Sequence, residues 1–408
     1  MSEPTRSKYA VLTQVCQLIP PHLTGKLARE HGVDKKARTF SPWSHVVTLL
    51  FAQLIHASSL HHVCDALRTH APKLLTVRLA TPPAKNTLSH ANRNRDAAMA
   101  EDLFWAVLKH LQKKYQGFGG RGYKAMPRRF RRAISVVDST TIKLVANCVD
   151  WARHRRRKAA AKLHLSLDLQ SFLPRIAIVD SARENDKVRF AELCAPLDKG
   201  EIAIFDKAYI DFGHLWELEE REVFWVTRAK DNMAYRCVKC LPKGCDPRVL
   251  RDDIVVMKND LSKSKYPGRL RRVSALVEVD GKEREMVFLT NNLEWAPGSV
   301  CDLYKCRWSI EVFFKEIKQT LQLCDFIGHS KNAILWQVWM ALLLYVLVRA
   351  HAFTTSWQHG FKRLFFLLRA CVWDTFDINR LVDFHGTASG GLPMRTCTEQ
   401  LYLPGFEP

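Results

Sequence analysis

Three acidic residues stand where this chain can do chemistry. Asp138 follows the β-branched run AISVV, Asp206 follows EIAIF, and Glu311 lies in the helical segment RWSIEVFFKEIK. The two aspartates are expected to project from strand C-terminal ends, the edge at which open sheets place their sites. At about 100° per residue, Tyr304, Arg307, Glu311 and Lys318 fall within an arc of roughly 60° on one helix, beside an apolar stripe of Leu303, Ile310, Phe313, Phe314, Ile317 and Leu321. Carboxylates about 4 Å apart repel by roughly 4 kcal/mol at an effective dielectric of 20, a penalty that a divalent cation removes. Mg²⁺ suits such an all-oxygen site and keeps water positions open for substrate phosphate. Two such ions about 4 Å apart activate an attacking oxygen and stabilise the leaving one in an in-line displacement. A single Asp after a strand is more often a cap or turn former; the pair combined with the helix stripe favours a site.

Residues 133–137 form a short strand that 141–145 can pair with, and 163–169 and 172–179 are further strands. A helix over 185–194, a strand over 201–205, a helix over 212–221 and a strand over 223–227 complete the run. Consecutive strands followed by alternation give antiparallel and then parallel pairing. The expected fold class is α/β, a ribonuclease-H-like mixed sheet with flanking helices, interrupted by a β-rich insertion and preceded by a helical N-terminal domain. In that domain a helix over 11–19 stops at Pro20-Pro21, and one over 43–54 is capped by Ser41 with Pro42 at its first position. Helices also cover 59–67, a segment from 87, and 97–111, and GFGGRG (117–122) marks a domain edge. In the insertion, strands are expected over 254–257, 271–279 and 285–290. A single long helix over 298–321, an apolar helix over 333–349 and a helix over 361–372 follow. The predicted domains are 1–125 (helical), 126–230 (core with the two aspartates, first part), 231–298 (β-rich insertion), 299–350 (core, second part with the acidic helix) and 351–408 (C-terminal helical region and tail).

Charge narrows the partner. The 408 residues carry 62 Lys+Arg against 41 Asp+Glu, a net +21. The charge is clustered: Arg121 to Arg132, then Arg153, Arg155, Arg156, Arg157, Lys158 and Lys162, then Lys263 to Arg272. One such run is as often a solvated face; three with this net charge favour a polyanion, and nucleic-acid phosphates above all. An apolar fraction of 47% excludes disorder for most of the chain. Twelve scattered cysteines suggest free thiols in a reducing cytoplasm rather than a disulfide scaffold. The N-terminus does not read as a signal peptide, and the apolar stretch 335–348 is short for a membrane span, so it reads as a buried core helix.

The pattern Y-x2-R-x3-E-x6-K, met by Tyr304, Arg307, Glu311 and Lys318, resembles the signature of DDE transposases of the insertion sequence four (IS4) family. VVDSTTIKL and FDKAYIDF are similar to that family's first and second aspartate segments, FWVTRAK (224–230) to its strand ahead of the insertion, and LTNN (289–292) to the segment before the signature helix. The N-terminal stretch LIPPHLTGKLAREHGVDKKARTFSPWSHVVTLLFAQL also resembles one branch of these enzymes, so the likeness covers about residues 12 to 350. It implies a catalytic triad of Asp138, Asp206 and Glu311 holding two Mg²⁺ ions, with Mn²⁺ as a substitute. It implies hydrolysis at the transposon ends followed by strand transfer, that is, cut-and-paste transposition. The expected partners are double-stranded DNA, as terminal inverted repeats and target, and a second copy of the chain assembled on it; no membrane is expected, and the place of action is the cytoplasm, at the nucleoid. Tyr304, Arg307 and Lys318 would contact phosphates, with Lys207, Arg228, Lys230, Arg155, Arg156 and Arg157 as further DNA-binding residues. Some relatives stack a flipped base on a Trp where this chain has Met286; Trp225 and Trp308 are the substitutes. The competing reading is an inactive or domesticated sequence-specific DNA-binding protein, and a ribonuclease-H-type nuclease without transposition is a third.

Other residues weigh less. Cys237, Cys240 and Cys245 (CVKCLPKGC) have a CxxC spacing, but no fourth zinc ligand sits at a standard distance in sequence, so free thiols in a loop are expected. Asn185-Asp186 reads as a helix cap, His164 as a sheet residue, and Lys207 as either a phosphate contact or a merely exposed side chain.

Overall fold

The computed structural model describes residues 6–35, 37–120, 130–144, 153–155, 158–181, 186–279, 281–321 and 326–385. Two compact units are distinguished: residues 1–118, 142–161 and 314–396 form one, and 119–141, 162–313 and 397–408 the other.

The first unit is mostly helical. Its helices are α1 (Val11–Gln17), α2 (Pro21–Glu30), α3 (Pro42–Ile55), α4 (Leu60–Thr69), α5 (Ala71–Leu75), α6 (Lys85–Asn94) and α7 (Ala98–Lys114). The predicted cap of α3 is present: the Ser41 hydroxyl accepts from Ser44 N at 3.0 Å, and Pro42 occupies the first position, where its missing N–H costs nothing. Ser59 caps α4 in the same way.

The sheet has ten strands: β1 (Ile134–Leu144), β2 (Arg153–Arg155), β3 (Lys158–Asp168), β4 (Leu173–Ser181), β5 (Ile202–Phe205), β6 (Phe224–Arg228), β7 (Tyr235–Cys240), β8 (Val249–Met257), β9 (Leu270–Val279) and β10 (Lys282–Thr290). Its order is β2-β3-β1-β5-β6-β10-β9-β8-β7, with β4 also paired to β3. β5 lies parallel to β1 and to β6, whereas β7 to β10 are antiparallel to one another and join the rest through β10 on β6. The mixed α/β class is therefore as expected. β1 corrects the sequence reading, which broke it in two and paired the halves. It is one strand of 11 residues, because Thr140 and Thr141 are β-branched and favour extension over a turn.

Helices α8 (Asp186–Cys194), α9 (Phe212–Glu220) and α10 (Asp260–Lys265) alternate with these strands, and α11 (Pro297–Lys305) and α12 (Trp308–Thr320) follow them. Here the expectation of one helix over 298–321 fails. Arg307 N bonds Tyr304 O and Ser309 N bonds Cys306 O, tight i→i+3 turns that divide the segment at Cys306–Arg307. Beneath β5 and β6 a core of Phe190, Phe205, Tyr209, Leu215, Trp225 and Tyr266 packs the helices to the sheet. Asn291 ties β6 to the chain after β10, donating to Val223 O and accepting from Trp225 N, both at 2.9 Å.

The chain closes with α13 (Lys331–Thr354), α14 (Phe361–Ala370) and α15 (Ile378–His385) in the first unit. Among the described residues α13 is the one continuous helix long and apolar enough to cross a membrane, and 89% of that apolar window is buried. It packs against α3, α6, α7 and α14. It is longer than the sequence reading gave, and its burial accords with a core helix.

Candidate active site

Asp138 sits in the interior of β1 rather than at its end, which corrects the first expectation. The parallel ladder between β1 and β5 nevertheless stops at Val137↔Phe205, so Asp138 and Asp206 are the first residues beyond it on neighbouring strands. β1 simply runs on. This places both carboxyls at the C-terminal edge of the parallel pair, as the sequence implied. Asp206 also does the bland thing expected of an Asp after a strand: its Oδ1 accepts from Ala208 N at 3.0 Å and caps the 3-10 turn Lys207–Tyr209.

Arg307, at the break between α11 and α12, knits the site together. Its Nη1 donates to Asp138 Oδ2 at 3.0 Å and its Nη2 to Glu311 Oε1 at 2.7 Å. The bond to Glu311 is a local i,i+4 pair, whereas the bond to Asp138 spans 169 residues and ties the turn between the two helices to β1, a contact that no local pattern encodes. Arg307 is 8% exposed. Burial works against its charge, but Tyr304, Asp138 and Glu311 outweigh it and raise its pKa. Burial also dominates at Asp138, pushing its carboxyl up to about 6; Arg307 and the Ser139 N–H oppose this, while Glu311 and Asp206 add to it. Asp138 thus senses both other carboxylates. Among the described residues the three do not bring ligand oxygens all within 4.8 Å of one another.

The other predicted residues separate into groups. Tyr304 is buried, tilted against Phe288 with ring centroids 5.0 Å apart, and burial raises its hydroxyl to about 12. Its electrostatic neighbours include Arg307, Asp206 and Arg228. Lys207 is paired with Asp231 at 3.2 Å. Lys230 donates to Ile210 O at 3.2 Å, and burial followed by Lys187 lowers its pKa. Lys318, in the last turn of α12, belongs to the other unit, where burial and Lys143 lower its pKa. Arg155 lies on β2; Arg156, Arg157 and Asn185 lie outside the described residues. Of the two tryptophans weighed for base stacking, Trp225 is fully buried and unavailable, whereas Trp308 is only partly buried, with the Arg307 guanidinium 5.1 Å from its ring centroid.

One network escaped the sequence reading. Ser139 Oγ donates to Asp186 Oδ1 at 2.8 Å, and the same oxygen lies 2.9 Å from Lys162 Nζ and 3.5 Å from His164 Nδ1. His164 is fully buried and its pKa is lowered to about 4 by that burial, so it stays neutral. Asp186, read only as a cap, therefore anchors the residue next to Asp138. The KLH alternation on β3 would have shown that Lys162 and His164 share a face.

A model described as the transposase DDE domain matches residues 129–347, more than half of the chain. Transposase InsG of insertion sequence element IS4 from Escherichia coli is 27% identical over 197 residues, 46% of this chain and 43% of InsG. The chain belongs to the IS4 family of DDE transposases. The transposase is also 29% identical over 300 residues to transposase y4zB of Sinorhizobium fredii, covering 72% of this chain and 79% of that one. It is 23% identical over 366 residues to the IS231E transposase of Bacillus thuringiensis, covering 76% and 73%. Residues 7–77 of the transposase match a domain of unknown function (DUF4372). A cryo-EM structure of the piggyBac transposase synaptic complex with hairpin DNA covers 98% of the transposase at 10% identity and a TM-score of 0.46, with 86% of that chain covered.

As a DDE transposase, the protein is a DNA-cleaving and strand-transferring enzyme that depends on divalent metal. The acidic residues at the sheet edge fit that requirement. They are hard oxygen donors, two of them raise the pKa of the third, and a cationic side chain already bridges Asp138 and Glu311.

Proposed function

We propose that Asp138, Asp206 and Glu311 are the catalytic triad of this transposase and that together they hold two Mg²⁺ ions, for which Mn²⁺ can substitute. When bound, the ions supply Lewis-acid stabilisation of the attacking and leaving oxygens. The rest falls to the chain. Arg307 orients Asp138 and Glu311 through its two ends, and Ser139, held by Asp186, donates its backbone N–H to Asp138 Oδ1 at 2.8 Å. In the first reaction a water oxygen bonds to phosphorus at the transposon end and the P–O3′ bond breaks, releasing a 3′-hydroxyl. In the second that hydroxyl attacks a target phosphodiester, so one P–O bond replaces another. Tyr304, Arg307 and Lys318, with Lys207, Arg228, Lys230 and Arg155–Arg157, hold the phosphates, in keeping with the net charge of +21.

The single observation that carries this reading is the arrangement at the end of the β1–β5 ladder. Two neighbouring strands each deliver an aspartate there, and Arg307 joins the first to Glu311. The run β4-β3-β1-β5-β6, parallel from β1 to β6, supports a ribonuclease-H-like core in which β7 to β10 are an insertion. Residues 1–125 would be the DNA-binding domain, 126–230 and 299–350 the two parts of the core, 231–298 the insertion and 351–408 the C-terminal region. The active species on DNA would be a homodimer bridging two terminal inverted repeats, working by cut-and-paste at the nucleoid. The test is cleavage of a labelled transposon-end duplex in Mg²⁺ by the full chain and by Asp138→Asn, Asp206→Asn and Glu311→Gln. Wild-type cleavage that all three abolish supports the triad; undiminished cleavage in any one removes that residue from it.

A further inference from the structure

The sequence left Cys237 and Cys240 as loop thiols. They instead lie on β7, and the register of that strand changes what they can do. β7 pairs antiparallel with β8, with Cys237 opposite Val255, Lys239 opposite Ile254 and Cys240 opposite Asp253. Residues three apart on a regular strand face opposite sides of the sheet. Here one extra residue, Val238, is bulged out between Cys237 and Lys239, and Val238 is exposed. A bulge sets two residues against one and shifts the face by one position. Cys237 and Cys240 therefore share the face of their partners Val255 and Asp253.

The atoms converge accordingly. The two sulfurs are 3.7 Å apart, and with an Asp253 oxygen they form a set of ligand atoms all within 4.8 Å of one another. Two thiolates bound at about 2.3 Å to one tetrahedral Zn²⁺ stand about 3.8 Å apart, whereas a disulfide needs about 2.05 Å. Asp253 is 1% exposed, and its two oxygens differ. Oδ2 is held by Arg251 Nε at 2.5 Å and Arg272 Nη1 at 3.5 Å. Oδ1 is buried and has no hydrogen-bond partner. A buried carboxylate oxygen left unpaired is costly unless something positive meets it.

From this geometry we infer a second metal site, apart from the catalytic carboxylates: Cys237, Cys240 and Asp253 bind one soft divalent cation, Zn²⁺ by preference. Asp253 binds through one oxygen, and the fourth position falls to water or to the exposed Cys245 in the loop of residues 241–248. Thiolates select zinc over magnesium, so the two sites load with different ions. The ion staples β7, the outermost strand of the sheet, to β8, in an edge position where pairing is otherwise weakest.

The experiment uses the reduced, full-length protein and Co²⁺ as a spectroscopic probe, with Zn²⁺ as competitor. One Co²⁺ per chain should produce thiolate-to-cobalt charge-transfer absorption, which carboxylates alone cannot give, and Zn²⁺ should abolish it. Cys237→Ser combined with Cys240→Ser should remove the band while far-UV circular dichroism and DNA binding stay at wild-type levels. Asp253→Asn should keep sulfur ligation but weaken Zn²⁺ binding on the order of tenfold or more. Absence of the band in the reduced wild type overturns the site, as does a band that survives the double serine variant. A Cys237–Cys240 disulfide in protein purified without oxidant would also overturn it. Should the double variant fail to fold, the wild-type stoichiometry and the Asp253→Asn affinity decide the matter.

Discussion

Helix α13 and the carboxylates around Arg307 are built from opposite materials. Along α13, Trp336, Leu342, Leu343, Tyr345 and Val346 are fully buried, and the helix is surrounded by α3, α6, α7 and α14. Its contribution is hydrophobic burial, on the order of 1.5–3 kcal/mol for each large side chain. At the sheet edge the groups are charged instead: buried Arg307 between the part-buried Asp138 and the exposed Glu311, with part-buried Lys162 and Asp186 beside them. Taking such charges out of water costs several kcal/mol per ion and returns little net stability. The contrast separates the source of stability in one unit from the place of the proposed chemistry in the other. The apolar helix is buried among its neighbours, and the polar edge carries charge where, on the proposed reading, cations and substrate meet it.

Substitutions can test that division. At the polar edge, Asp206→Asn and Glu311→Gln should lower transposon-end cleavage by about 10³-fold or more, at least about 4 kcal/mol of barrier. Their thermal midpoints should stay within a few degrees of wild type, and a collapse in stability would mean that these carboxylates are structural. The buried pair on β8 and β9 is the counterexample within the same unit. Arg271 Nη2 and Nε hold Asp252 at 2.7 and 2.8 Å, with both residues almost inaccessible. Arg271→Ala should cost about 3–5 kcal/mol in denaturant unfolding by leaving Asp252 uncompensated. In the apolar helix, Leu343→Ala should cost about 2–5 kcal/mol, with cleavage per folded molecule unchanged. Arg307→Ala should slow cleavage on the order of 10²-fold, and lysine should rescue poorly because one ammonium cannot bridge two carboxylates as a guanidinium does. A rescue to wild-type rate would reduce Arg307 to a simple counter-charge.

The smallest effect is a pH dependence in the helical unit. His45 is fully buried, bonded to Asn92 at 2.8 Å, and burial lowers its pKa to about 3. The folded value lies below the unfolded one, so the unfolded chain takes up the proton first. The contribution of His45 to stability is complete above about pH 6.5 and declines as the pH falls from there toward 3. Between pH 7 and pH 5 the loss should be on the order of 1–2 kcal/mol. Denaturant midpoints at the two pH values should show it, and His45→Gln should reduce the difference; an unchanged difference would assign the effect to other groups.

Much of this was legible in the residues themselves. Ser41-Pro42 announced α3, AISVV and EIAIF announced the two parallel strands, and the aspartates directly after them fell at the end of the shared ladder. Tyr304, Arg307 and Glu311 came together as the spacing suggested, although the single straight helix assumed for that spacing is broken. At the break Arg307 reaches Asp138, 169 residues away, and no local periodicity registers such a tie. β7 was missed because YRCVKC carries two cations and its alternation is interrupted by the bulge at Val238, which is visible only against the partner strand. Asp186 looked like an ordinary cap because the three side chains that meet it come from β1 and β3. Arg156 and Arg157 fall outside the described residues.

The way β10 returns to β6 has a practical consequence. Phe288, Leu289 and Thr290 pair with Arg228, Thr227 and Val226, and Asn291 clamps the start of the same strand. A protease that nicks the exposed loop of residues 241–248 would therefore not release a domain. Both fragments would stay laced into one sheet, and the cut molecule should travel as a single particle on gel filtration until denaturant parts it.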